Sequence, residues 1–133
     1  CVQIDQGETV TVFNDMCFMA PASLIDKRIG WKEIDEKSVS ATFTNGRISI
    51  TATLFFNGKG ELVDFISKDR FETTDGKSYS NYPWSTPVIS YTDINGYHLP
   101  SEAKLIYRHP DEDFCYGEFR LVSLEYNCGD FHF

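Results

Sequence analysis

Residues Ile48, Ile50, Ala52, Leu54 and Phe56 are apolar, and Arg47, Ser49, Thr51 and Thr53 between them are polar. Asn45-Gly46 precedes this run and Asn57-Gly58-Lys59-Gly60 follows it. A period of two between such turns predicts an antiparallel strand with one face buried. The pattern repeats on both sides. Val39, Ala41 and Phe43 alternate with Ser38, Ser40 and Thr42. Residues 31–34 and 62–71 read as flanking strands. Residues 88–94 turn through Asn95-Gly96 into 97–109, and Pro110-Asp111-Glu112-Asp113 turns into 114–126. Near the start, Val10 and Val12 alternate with Thr9, Thr11 and Phe13, which predicts a strand over 8–13. Val2-Gln3-Ile4-Asp5 alternates in the same way. A helix is expected over 20–27. There Pro21 suits the first turn and Leu24 and Ile25 form a short apolar face, before Gly30 releases the chain.

These elements predict a mainly β (α+β) fold. It is a curved antiparallel meander sheet or half-barrel of about eight strands, with one short helix near the N-terminus. The 133 residues read as one domain, with a core over 8–127 and a tail over 128–133. No βαβ unit is present, which excludes dinucleotide folds. An open sheet with one apolar face needs a cover and protected edges. The helix and the long irregular segment 72–86 are expected to lie across the concave face. The rest of the cover would come from residues upstream of Cys1 or from a second copy of the chain. The chain begins at Cys1 and not at Met, so it reads as processed, trimmed or a fragment. A leading Cys would also suit the lipid-bearing residue of a mature lipoprotein, and the compartment stays open.

Composition narrows the partners. The formal net charge is −8 and no basic stripe exists, which argues against nucleic acid and anionic membrane surfaces. No apolar run approaches the ~20 residues of a membrane span. Aromatic residues make up 15% of the chain, a richness that suits both strands and ligand pockets. None of Cys1, Cys17, Cys115 and Cys128 forms a C-x-x-C pair, so they are expected to be free thiols.

Candidate chemistry is sparse. His109 lies near Asp111, Glu112, Asp113 and Cys115, but acids there also suit a hairpin turn, and no metal site is expected. His98 has no carboxylate adjacent in sequence and reads as a surface histidine; His132 lies in the tail. No nucleophile elbow or phosphate-cradling loop occurs, so no catalytic residue and no cofactor are expected. Two places are less ordinary. Met16, Cys17, Phe18 and Met19 form a soft apolar patch, suited to helix packing or to a pocket gate. Asp69-Arg70, followed by Tyr79, Tyr82 and Trp84, suggests an aromatic lid with Arg70 as anchor for an anionic head group, or alternatively a core plug with Arg70 paired to an acid.

Asn14-Asp15-Met16-Cys17 with Ala20-Pro21, Trp31-Lys32-Glu33-Ile34-Asp35, Phe55-Phe56-Asn57, Gly60-Glu61-Leu62, Asp69-Arg70, Pro83-Trp84-Ser85, Gly96 with Leu99-Pro100, Tyr116-Gly117 and Tyr126-Asn127 together resemble a bacterial family of uncharacterised domains, and the resemblance implies that this chain is the C-terminal part of a longer protein. The family is similar in pattern to the half-barrels of lipoprotein-localisation-factor-like carriers. That resemblance implies an apolar cavity and draws attention to Trp31, Phe56, Arg70, Trp84, Tyr91 and Tyr116. The expected function is a non-enzymatic binding domain that holds a hydrophobic small molecule or lipid on the concave face. The alternatives are a solidly packed interaction module, and a hydrolase using Asp15, Asp69 or His98.

Overall fold

The structure, a computed structural model, describes residues 2–19, 24, 26–71, 77 and 79–121. Its elements are helix α1 (Val2–Met19) and strands β1 (Ile29–Asp35), β2 (Ser38–Asn45), β3 (Ile48–Phe56), β4 (Leu62–Ser67), β5 (Trp84–Ser85), β6 (Val88–Ile94), β7 (Tyr97–Arg108) and β8 (Asp113–Arg120). The eight strands form one open, curved antiparallel sheet. Its order is a meander. β5 and β6 follow each other along one side of β7, and β8 pairs with the opposite side.

Turn chemistry sets the registers. Asn95 and Gly96 take φ of 52° and 83° in the two-residue turn that pairs Ile94 with Tyr97, which is the twist that suits a tight hairpin. Between β3 and β4 the Asn57 carboxamide oxygen accepts from the Lys59 and Glu61 backbone N–H groups, and Gly60 takes φ 80°.

The expected strands over 2–5 and 8–13 are absent; both segments lie in α1. The alternation of Val10 and Val12 is not a strand's two faces. Val10, Phe13, Cys17 and Phe18 are buried at helical spacing, together with the polar Asn14. Tertiary burial of that stripe overrides the β propensity of the Thr-Val-Thr-Val run. The helix expected over 20–27 falls largely outside the described residues, and Lys27-Arg28 is a turn. The expected 62–71 strand ends at Ser67, β8 ends at Arg120, and residues 122–126 are not described. Of the 72–86 segment, residues 72–76 and 78 are not described, and Trp84–Ser85 is a short strand.

The helix fills the centre of the concave face. Ala41 and Ala52 are cross-strand partners and both are fully buried. The Phe13 ring of α1 belongs to the same buried cluster. It stacks on Phe43 at 5.2 Å between centroids and tilts against Phe65 at 5.7 Å. Phe65 in turn meets Trp84 edge-on at 6.1 Å. The Ile48–Phe56 row is thus packed against helix and aromatic side chains along most of its length. One buried polar contact pins the helix in register: the Asn14 carboxamide donates to the Thr86 hydroxyl at 2.8 Å.

Candidate functional site

An open groove of about 710 Å³ remains at one flank of the concave face, between α1 and the β7–β8 end of the sheet. α1 supplies one wall. Ile4, Gly7, Glu8, Thr11 and Val12 recur at i, i+3, i+4, i+7 and i+8, a helical stripe beside the buried one. The opposite wall comes from Tyr107 of β7 and Phe114 of β8, with the buried Trp84 next in the same cross-strand row. Trp84 pairs with Tyr107, and Tyr107 pairs with Phe114, so their side chains share a face. Tyr116 joins them by a β-bulge. Leu105 pairs with Gly117 and Ile106 with Cys115, which leaves Tyr116 as the extra residue of β8. A bulge re-aims a side chain, and here the Trp84 indole N–H donates to the Tyr116 hydroxyl at 2.8 Å.

Arg70 lies at the closed end of this groove. Its guanidinium carbon sits 4.8 Å from the Trp84 ring centroid, 5.8 Å from that of Tyr107 and 5.9 Å from that of Tyr116. The Arg70 Nε–H donates to Thr11 Oγ1 at 3.2 Å, and Thr11 Oγ1 donates to the Gly7 carbonyl. Arg70 Nη1 donates to the Tyr107 hydroxyl, which donates onward to the Phe71 carbonyl. Among the described residues no carboxylate pairs with Arg70. The neighbouring Asp69 accepts from the Thr51 backbone N–H instead.

A smaller cavity of about 290 Å³ lies elsewhere, lined by Cys17, Phe56, Glu61, Tyr91, His98 and Leu99 among others. Burial pushes the Cys17 thiol up to about 12. The Tyr91 hydroxyl donates to the Leu62 carbonyl at 2.7 Å; burial first and Glu61 second push its pKa up to about 12. His98 stacks on Tyr91 at 4.9 Å. Its ring nitrogens contact Glu61 Oε2 at 2.5 Å and Asp93 Oδ1 at 2.7 Å. These bonds, Glu61 first, raise the His98 pKa above 6.5. His98 is exposed as expected, yet it does have a sequence-near carboxylate, because the Asn95-Gly96 turn sets Asp93 directly opposite it.

The six residues singled out by resemblance therefore divide. Arg70 and Tyr116 line the groove, Trp84 is buried in the core with its ring against the Arg70 guanidinium, Phe56 and Tyr91 line the smaller cavity, and Trp31 lies on β1 with its ring 6.4 Å from Phe13. The groove also uses Gly7, Tyr107 and Phe114, together with Thr11 and Val12, which the strand reading of 8–13 hid. Asp15 is exposed on α1, Asp69 is tied to β3, and His98 borders a cavity that neither of them lines. Around the last hairpin, Asp113 pairs with Arg108, and His109 stacks between Tyr82 and Phe114. Among the described residues no group of His, Cys, Asp and Glu is arranged to hold a metal ion, and no helix is long and apolar enough to cross a membrane. Cys17 and Cys115 are free; Cys1, Cys128 and His132 lie outside the described residues.

Residues 2–119 match the model of a family of unknown function, DUF6544, and the chain belongs to that family. No curated protein and no solved structure matches the chain.

Proposed function

We propose that this chain is a non-enzymatic binding domain that holds an apolar or amphipathic ligand in the groove between α1 and the β7–β8 end of the sheet. One observation carries the reading. Beside α1 a space of about 710 Å³ stays open and is walled by the exposed apolar side chains of Ile4, Val12, Phe114 and Tyr116. That volume is within the range of small-molecule sites, roughly 300–1,000 Å³. Four large apolar side chains gathered along one groove are an unfavourable surface for water, and a ligand would remove it.

The test is titration with Nile red, a neutral apolar dye. The expected result is saturable fluorescence enhancement at one site per chain. Val12→Glu combined with Phe114→Glu should reduce that affinity at least tenfold, because both side chains are exposed and neither supports the core. An unchanged response in the double variant would overturn the reading.

A further inference from the structure

We infer that Arg70 reads the head of the ligand, and that the ligand class is a single-tailed amphiphile carrying one carboxylate. This rests on the groove reading above and adds the chemistry of the polar end. Arginine stays charged at all ordinary pH and presents five N–H donors in a planar fork. Two of them are committed, to Thr11 Oγ1 and to the Tyr107 hydroxyl. Among the described residues the other three, including both donors on Nη2, have no hydrogen-bond acceptor. The guanidinium is half-buried and held among the Trp84, Tyr107 and Tyr116 rings, so its orientation is set before any ligand arrives.

The missing partner is the informative part. The chain has 20 acidic residues, and Arg28, Arg108 and Arg120 all sit against carboxylates. Arg70, the arginine at the groove, has none among the described residues. A half-buried cation without a counter-charge is costly unless something supplies one. A carboxylate fits the free edge of the fork bidentately. The charge count favours one negative charge over two. The groove offers a single guanidinium, and Glu8 lines the same space, so a second anionic charge would meet repulsion. The apolar tail would then run along Ile4, Val12 and Phe114.

Calorimetric titration at pH 8 of the full chain with sodium decanoate, 1-decanol and decyl phosphate decides this. The tails are identical and only the heads differ. Decanoate should bind at least tenfold more tightly than 1-decanol, and decyl phosphate no more tightly than decanoate. Arg70→Met should bring decanoate within twofold of 1-decanol. If Arg70→Met does not fold, Arg70→Lys carries the test. It keeps the charge but loses the fork, and the preference for decanoate over 1-decanol should fall at least threefold. Equal, saturable binding of decanoate and 1-decanol would overturn the head-group inference and leave the groove reading standing. Tighter binding of decyl phosphate would overturn the carboxylate class in favour of a phosphate monoester. Absence of saturable binding by all three would overturn the groove reading, and this inference with it.

Discussion

Two stripes of α1 face the same sheet with opposite outcomes. Val10, Phe13, Asn14, Cys17 and Phe18 are buried, with Phe13 against Phe43 and Phe65, Asn14 bonded to Thr86 and Phe18 edge-on to Phe119. Ile4, Gly7, Glu8, Thr11 and Val12, one step round the helix, stand over a groove. Both stripes have the same spacing, so helix geometry alone does not separate them. Side-chain volume does. The first stripe carries two buried phenylalanines, Phe13 against Phe43 and Phe65 and Phe18 edge-on to Phe119, whereas the second has Gly7 at its middle with Glu8 and Thr11 beside it. Facing Gly7 is the stem of Arg70: a Cβ built on Gly7 would lie 3.6 Å from Arg70 Cγ, an ordinary contact. The closed half is a packing solution, and the open half has aromatic walls and a cation but no side chain to fill it.

Breaking the closed half should have the largest effect. Phe13→Ala removes the ring that Phe43 and Phe65 enclose. It should lower stability by about 3–5 kcal/mol in urea denaturation. A loss below about 1 kcal/mol would show that the core does not depend on this ring. On the open half the sign should reverse. Gly7→Ala should raise stability by about 1 kcal/mol, since alanine is the better helix former and its methyl group meets only ordinary contact. Dye binding should survive that change. A net destabilisation would mean that Gly7 carries a constraint beyond the space it leaves.

The smallest effect concerns His98, exposed at the rim of the other cavity. Glu61 and Asp93 raise its folded pKa above the ordinary value of 6.5. A raised histidine adds stability that is fully present below about pH 6.5 and is lost as pH rises through the folded pKa. His98→Ala should therefore lower Tm at pH 5.5 and leave it almost unchanged at pH 9. An equal drop at both would tie the loss to Tyr91 stacking and not to charge.

The strands were legible because each is bounded by its own turn chemistry. Asn45-Gly46, Asn57–Gly60 and Asn95-Gly96 fix register locally, and the period of two follows the buried face. The Asp93–His98 contact was available in the same way, since a two-residue turn dictates which residues face each other. The N-terminal segment was misleading for a physical reason. Thr9-Val10-Thr11-Val12 satisfies strand periodicity over four residues, while the helical repeat shows itself only across the full Val2–Met19 span and competes with β-branched propensity. With the helix hidden, Thr11 and Val12 could not be placed beside Arg70.

Taken alone, the amino-acid order determined a curved antiparallel meander, its turns and its acidic surface, because those depend on neighbours in sequence. Only the tertiary structure decided that the first nineteen residues include the helix that covers the sheet. It alone set Tyr116 in a bulge, and it alone left Arg70 among three rings with no acid paired to it among the described residues. These features arise from contacts between residues tens of positions apart, where burial, not local propensity, selects the conformation.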